Sequence, residues 1–212
     1  MKSSLSNYKL IFWDFDGVIK DSVNVKTEAY LSLFPNIAKE TLHRIRNHHL
    51  NYGGISRFEK IPLYLEWAGL PSSSFDIKKY LDQFEIFVVQ RVIASPWIPG
   101  VEEFLKRKPL SQKFVIVTGT PENEILEIIK ELNIDMLFDR VYGAPTEKEK
   151  AINLTLEEFH IDKESSILIG DSKTDWLAAQ STGIDFLYKE SELDEFSKQF
   201  KGNKIRDFLG LI

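Results

Sequence analysis

The feature that most constrains the fold is an alternation of short apolar runs with segments of helical periodicity. Five runs have the length and apolar character of buried strands: 9–13, 113–117, 138–142, 166–169 and 185–188. Helical segments separate the last four runs, and in 125–132 the apolar residues recur at helical spacing. This alternation predicts an α/β fold in which parallel strands form a doubly wound sheet.

About a hundred residues separate the first and second strand candidates, far more than an ordinary crossover connection needs. The pattern from Val25 to Ser95 is helical, and a stiff connector rich in proline follows at 96–100. Because Pro62 falls inside the third helical segment, we expect a kink or a helix start there. The sequence therefore predicts a core formed by 1–21 and 96–212, with an all-helical cap domain inserted at 22–95.

Composition narrows the possible partners. The 212 residues include 27 basic and 32 acidic side chains, for a net charge of −5, so we expect neither nucleic acid nor a membrane surface as a partner. The absence of cysteine excludes disulfides and thiolate zinc sites. The N-terminus lacks a secretory signal pattern and the apolar runs are short, so we expect a cytoplasmic protein.

The first strand candidate ends in two carboxylates, Asp14 and Asp16, followed by Gly17. Residues two apart at the end of a strand leave it on the same side, at the edge where open parallel sheets bind ligands. Two carboxylates so close together repel unless a cation or a proton intervenes, so the pair indicates a divalent metal, or a nucleophile beside an acid. The alternative is a polar turn.

A second acidic pair, Asp171 and Asp175, follows the strand candidate at 166–169, and Gly170 precedes it. Because the carboxyl ends of parallel strands share one edge of the sheet, this pair is predicted to face the first. The alternative is that Asp171 only caps the following helix. Two acidic pairs at two predicted strand ends favour the functional interpretation.

Two further strand ends carry polar groups. Thr118 and Gly119 follow the second strand and offer a hydroxyl and free backbone amides for an anion, although Thr120 could equally be a plain helix N-cap. Lys148 follows the third strand, where an ammonium could neutralise a phosphate among carboxylates. Lys150 is a competing candidate. Together, the four strand ends supply what phosphoryl transfer through an aspartyl phosphate requires.

These motifs resemble, over the whole chain, the haloacid dehalogenase superfamily, specifically its phosphatases with a helical cap after the first motif. The phosphoglycolate phosphatase and β-phosphoglucomutase group is the most similar branch. The resemblance implies catalytic roles for Asp14 as nucleophile and Asp16 as general acid and base. It also implies that Thr118 binds the phosphoryl group, that Lys148 neutralises charge, and that Gly119 contributes to substrate binding. It also implies a Mg²⁺ ion bound by Asp14, the backbone carbonyl of Asp16, and Asp171, with Asp175 in support.

The resemblance implies a Mg²⁺-dependent phosphatase for a small phosphomonoester, such as a sugar phosphate, because an aspartate at the position of Asp16 is typical of the members that act on phosphate esters. A phosphomutase is the nearest alternative, but the mutases of this group carry a histidine where this chain has Lys26. A non-enzymatic phospho-receiver domain is a remote alternative, since its motifs come in another order and it lacks a helical insertion.

The cap segment, residues 22–95, contains the run Gly53-Gly54-Ile55-Ser56-Arg57, which resembles the substrate-recognition loop of capped sugar-phosphate enzymes. We expect Arg57, with Ser56 beside it, to contact the distal part of the substrate. Lys26 and Lys60 are weaker candidates for the same surface. The alternative is a plain turn between helices with a solvated Arg57.

Overall fold

The computed structural model of the chain describes residues 5–190 and 196–211. Its strands form one six-stranded sheet in the order β3-β2-β1-β4-β5-β6, with every neighbouring pair parallel. The strands are β1 (Leu10–Trp13), β2 (Lys113–Pro121), β3 (Arg140–Ala144), β4 (Ser166–Gly170), β5 (Asp185–Lys189) and β6 (Lys204–Ile205). The predicted α/β fold with a doubly wound parallel sheet is confirmed.

The strand order places β1 between β2 and β4, so the direction of winding reverses at β1. Trp13 pairs in register with Ile116 of β2 and with Ile169 of β4. The segments that follow β1, β2 and β4 therefore leave the sheet side by side at its carboxyl edge. In open α/β sheets this switch point is where ligands bind.

Helices cover both faces of the sheet. In the described part of the chain they are α1 (Val23–Ser32), α2 (Lys39–Asn51), α3 (Arg57–Trp67), α4 (Ser74–Ala94), α5 (Val101–Lys106), α6 (Glu122–Glu131), α7 (Lys148–Phe159), α8 (Lys173–Thr182) and α9 (Phe196–Gln199). Alternate residues of β1 point to opposite faces: Leu10 and Phe12 join the apolar cluster beneath α7 and α8, while Ile11 and Trp13 join the larger one. Both sheet faces are thus buried, as the continuous apolar strands predicted.

Helices α1 to α4 occupy residues 23–94 of the cap segment. They pack around buried aromatic rings, with Tyr30 in contact with both Tyr64 and Phe84. Helix α3 begins at Arg57 and passes through Pro62, so the helix does not start at the proline. The division of the chain into a core and a separate cap domain at residues 22 and 95 stays a prediction.

The loop between α2 and α3 lies directly on the carboxyl edge of the sheet. A Cβ atom built on Gly119 would come within 2.6 Å of the carbonyl oxygen of Gly54, so the close approach of the cap segment requires glycine at this position. None of the helices within 5–190 and 196–211 combines the length and the apolar character that crossing a bilayer demands.

Candidate active site

Asp14 is the first residue after β1, and its position is set by the sheet itself. Its backbone N–H donates to the carbonyl of Ile169 at 2.9 Å, which continues the β1–β4 ladder by one bond. Three residues further on, Gly17 has a φ of 79°, and a Cβ atom there would lie 2.0 Å from Oδ2 of Asp171. Glycine is therefore required for the turn and for the approach of the second acidic motif.

The second acidic motif follows β4 and is tied to the start of α8. Ser172, not Asp171, is the N-cap of this helix, and its hydroxyl forms a reciprocal capping box with Asp175. The Ser172 hydroxyl donates to Oδ2 of Asp175 at 2.6 Å, and the Ser172 N–H donates to the same oxygen at 3.0 Å. Asp171 is thus left without a capping role, and oxygens of Asp14, Asp171 and Asp175 lie within 4.8 Å of one another.

Lys148, the first residue of α7, joins the two acidic motifs. Its ammonium lies 2.9 Å from Oδ1 of Asp14 and donates a short hydrogen bond to Asp175. The competing candidate Lys150 is exposed. Burial alone would lower the pKa of Lys148, but the charges of Asp14 and Asp175 outweigh it and raise that pKa above its usual value. The lysine is therefore charged over the physiological pH range.

The three clustered carboxylates carry more negative charge than Lys148 neutralises. Burial raises the pKa of Asp14 to about 7, against the opposing effect of Lys148, and the charges of Asp175 and Asp16 raise it further. Burial also raises the pKa of Asp171 well above its ordinary value, and the charge of Asp14 adds to the effect. A hard divalent cation, which prefers carboxylate oxygens, would supply the missing positive charge. The donor set therefore fits a hard divalent cation.

Asp16 points away from this cluster and into a separate polar network. Its carboxylate accepts hydrogen bonds from the Ser22 hydroxyl at 2.6 Å and the Thr120 hydroxyl at 3.1 Å, and it forms a short ion pair with Lys26 of α1. Burial raises the pKa of Asp16, but the charge of Lys26 and these hydrogen bonds outweigh it and hold that pKa below its ordinary value. The pKa of Asp14 is therefore raised and that of Asp16 lowered.

The hydroxyl motif at the end of β2 is also buried at this edge. Thr118 is buried, and its Oγ1 accepts a hydrogen bond from the Thr120 N–H at 3.2 Å. Helix α6 has Pro121 as its N-cap, so Thr120 is not the cap that the alternative interpretation required. Instead, the Thr120 hydroxyl receives a hydrogen bond from Lys26 at 2.7 Å and donates to Asp16.

The predicted cap loop reaches the site only in part. Arg57 lines the same cavity as Asp14 and Asp16, but its guanidinium forms a buried ion pair with Glu124 of α6 and stacks over Phe84. The solvated Arg57 of the plain-turn alternative is therefore wrong. Ser56 does not line this cavity; it is the N-cap of α3, and it faces a neighbouring hollow beside Lys148.

Asp14, Asp16, Asp171, Thr118 and Gly119 line one cavity between the sheet edge and the cap segment. Its volume is about 40 Å³, enough for about three water molecules. The cap segment contributes Lys26, Arg57 and Lys60 to its wall, together with apolar side chains. Lys26 and Lys60 appeared in the sequence only as weaker candidates for substrate contact, and nothing in the sequence singled out Glu124 or Ser22.

A doubly wound sheet with two acidic motifs, a threonine and a lysine at its switch point has the groups that a phosphoryl-transfer enzyme requires. Residues 11–189 match the family model of the haloacid dehalogenase-like hydrolases, and the chain belongs to that family. The resemblance noted from the sequence is thereby confirmed.

The chain is 28% identical over 187 residues to a phosphorylated carbohydrates phosphatase of Thermotoga maritima, covering 84% of this chain and 83% of that protein. It is 26% identical over 191 residues to a phosphoglycolate phosphatase of Colwellia psychrerythraea, covering 85% and 84%. A predicted phosphoglycolate phosphatase from Haemophilus somnus 129PT shares the fold, with a TM-score of 0.76 and 20% identity over 95% of each chain. The predicted enzyme class, phosphoric monoester hydrolase, is confirmed.

Proposed function

We propose that the protein hydrolyses a small phosphomonoester, with Mg²⁺, through a phosphoryl group carried transiently on Asp14. The observation that carries this proposal is the convergence of Asp14, Lys148, Asp171 and Asp175 at the switch point of the sheet. The phosphatase names of the relatives support hydrolysis over the mutase alternative. Membership of a hydrolase family argues against the receiver-domain alternative.

Asp14 is the proposed nucleophile because it is buried, held by the sheet and in contact with Lys148 through Oδ1. Its other oxygen attacks phosphorus, the bond from phosphorus to the ester oxygen breaks, and Asp16, which begins the cycle protonated, gives its proton to the departing alcohol. Water then attacks phosphorus, Asp16 takes a proton from that water, and the bond to Asp14 breaks to release phosphate. Both steps leave the enzyme as it began.

The Mg²⁺ site is proposed on Asp14 and Asp171, whose oxygens lie within 4.8 Å of each other in a carboxylate cluster that Lys148 alone does not neutralise. The backbone carbonyl of Asp16 completes the protein ligands proposed by resemblance. Asp175 supports the site indirectly, because Lys148 and Ser172 already occupy its oxygens. When bound, Mg²⁺ supplies charge stabilisation for the phosphoryl oxygens.

Thr118 and Gly119 are proposed to bind the phosphoryl oxygens, since both line the cavity beside Asp14. The Thr118 hydroxyl hydrogen is available for this contact when it is not shared with Thr120, whose Oγ1 lies 3.4 Å away. Lys148 is proposed to neutralise the negative charge that Asp14 gains when it carries the phosphoryl group.

The substrate class follows from the cap segment and from the relatives. A cavity of about 40 Å³ excludes a macromolecule and, in this closed arrangement, even a sugar ring, so we propose that the cap segment opens to admit substrate. The relatives' names include phosphorylated carbohydrates and phosphoglycolate, and we propose a phosphorylated metabolite of that kind. Because Glu124 already neutralises Arg57, we propose that Arg57 shapes the cavity and fastens the cap segment to α6.

The test is a screen of phosphorylated metabolites, with and without Mg²⁺, read as inorganic phosphate released per substrate consumed. Equimolar phosphate release that depends on Mg²⁺ is expected for a phosphatase, whereas an isomeric phosphate ester without release would identify a mutase. The metal site has its own readout: Mg²⁺ should raise the Tm of the protein, and Asp171→Asn should abolish that shift. An equal Tm shift in the variant would contradict the proposed ligand set.

A further inference from the structure

Three cationic side chains of the cap segment line the cavity, and they differ in how their charge is matched. Lys26 is paired with Asp16, and Arg57 is paired with Glu124. Lys60 has no ion pair within the described residues, although it is almost completely buried, with 1% of its surface exposed. A buried ammonium without a counter-ion is costly, so a ligand that brings an anion to this position is strongly favoured.

The immediate surroundings of Lys60 offer only neutral acceptors. Its Nζ lies 3.0 Å from Nδ1 of His49 and donates to the carbonyl of Gly53 at 3.3 Å. Burial and the charges of Lys60 and Lys26 hold the pKa of His49 well below its ordinary value, so this imidazole is neutral. An ammonium has three N–H donors, and the described residues provide acceptors for two of them. The third is available to a ligand.

A second buried polar atom lies at the same place. His49 is 3% exposed and lines the cavity, and apart from a weak hydrogen bond with the backbone of Val23 its Nε2 has no partner within the described part of the chain. Because Nδ1 accepts from Lys60, the hydrogen of the neutral ring is on Nε2. Lys60 therefore presents an unused donor on the cap side of the same cavity that Asp14 and Thr118 line on the sheet side.

We propose that Lys60, and not Arg57, is the specificity-determining residue, and that it selects phosphomonoesters carrying a second anionic group a few bonds from the phosphate. This inference rests on the proposed phosphatase function. We propose a short carbon skeleton between the two anions, because Lys60 and Asp14 line the same small cavity. A carboxylate and a second phosphoryl group share the required chemistry, and the smaller carboxylate suits this volume better.

Three two-carbon esters that differ only in the distal group test this assignment. They are 2-phosphoglycolate with a carboxylate, ethylene glycol bisphosphate with a second phosphoryl group, and 2-hydroxyethyl phosphate with a neutral hydroxyl. In the unmodified protein, kcat/KM for one or both anionic esters should exceed that for the neutral ester by about ten- to a hundredfold, the usual range for a hydrogen bond to a charged group. The larger of the two ratios identifies the second anion.

The matched variants are Lys60→Met and Lys79→Met, the second removing an exposed lysine of the cap segment. In Lys60→Met the preference for anionic esters should fall by about ten- to a hundredfold, mainly through KM, while Lys79→Met should keep it. An equal loss for all three esters would assign Lys60 a purely structural role and overturn the proposal. If Lys60→Met does not fold, the kinetics of the unmodified protein alone test the proposal. Equal kcat/KM for the anionic and neutral esters would overturn it.

The proposed function fails in a different way. If the unmodified protein releases no phosphate from these esters or from p-nitrophenyl phosphate, the phosphatase function itself is wrong. Turnover of p-nitrophenyl phosphate with no discrimination among the three esters would leave the phosphatase function standing and remove only the role of Lys60.

Discussion

Lys26 of α1 forms an ion pair with Asp16 across the boundary between the cap segment and the sheet edge, and the same ammonium donates to Thr120 at 2.7 Å. The cap segment therefore contributes directly to the electrostatics of the proposed general acid and base. In this closed arrangement Lys26 and the hydrogen bonds lower the pKa of Asp16, which favours the ionised form that Asp16 takes once it has given its proton to the leaving group. An ionised Asp16 is the form required to take a proton from the attacking water.

Replacing Lys26 by methionine should raise the pKa of Asp16, because burial would then act without the opposing charge. The measurement is a ¹³C NMR titration of the Asp16 carboxyl in both proteins. In the unmodified protein the pKa of Asp16 is below its value in the unfolded chain. The Asp16–Lys26 ion pair therefore stabilises the folded protein above about pH 4, and this contribution disappears as the pH falls. Lys79→Met is the control, and an unchanged pKa in Lys26→Met would rule out this coupling.

Asp16→Asn should discriminate between leaving groups. An alkyl phosphate needs a proton on its departing oxygen, so kcat/KM should fall by about 10²- to 10⁴-fold. p-Nitrophenolate leaves without a proton, and kcat/KM counts only the steps up to formation of the phosphoryl-enzyme, so that substrate should lose much less. Steady-state kinetics with both substrates provides the measurement. Equal losses would show that Asp16 does not act as the acid in the first step.

Lys148→Met and Lys150→Met separate the two lysines of α7. Lys148 touches Asp14 and Asp175, whereas Lys150 is exposed. Removing Lys148 should reduce kcat by about 10²-fold or more, the cost of losing one charged donor at a reacting centre, and should also lower Tm. Lys150→Met should leave both quantities close to those of the unmodified protein. A large loss of kcat in Lys150→Met instead would reverse the assignment.

Lys60→Met should stabilise the protein, most strongly near and below pH 7. Burial lowers the pKa of Lys60 to about 7, with a further contribution from Lys26 and opposing ones from Asp16, Glu59 and Asp171. Between about pH 7 and 10 the unfolded chain binds a proton on this lysine that the folded protein does not bind. The free energy of unfolding therefore rises with pH in this range, and Lys60 contributes at most about 1.4 kcal/mol per pH unit to that rise.

The free energy of unfolding, measured in urea at several pH values, should show this slope in the unmodified protein and lack it in Lys60→Met. His49 also faces Lys60, but its lowered pKa keeps it neutral throughout that pH range. Identical pH dependence in the two proteins would contradict the burial of an unpaired ammonium. Such a gain in stability on losing a binding residue is typical of functional sites.

The fold and the sheet-edge motifs could be predicted because each depends on local sequence. Continuous apolar runs identify strands that are buried on both faces, and the parallel order brings their carboxyl ends together. The two-residue strand β6 has too short a pattern to be recognised. The capping role of Ser172 was assigned to Asp171 in the alternative interpretation, because both residues suit an N-cap.

The cap side of the site could not be predicted in the same way. Whether Arg57 binds substrate or a protein carboxylate depends on Glu124, which is 67 residues away and looks like an ordinary helix residue. Lys26 and Lys60 lie on helices where lysine is usually solvated, and the packing of the helices over the sheet edge half-buries Lys26 and buries Lys60. Charge matching among residues distant in sequence requires the three-dimensional structure.

The most direct test of the central claim is to trap the phosphoryl group on Asp14. The protein is mixed with excess substrate and Mg²⁺, quenched in acid within one turnover, and mapped by peptide mass spectrometry. We predict one added phosphoryl group on the peptide containing Asp14, sensitive to hydroxylamine and absent from Asp14→Asn, which should fold but not turn over. Full turnover by Asp14→Asn, or a phosphoryl group on another residue, would contradict a nucleophilic Asp14.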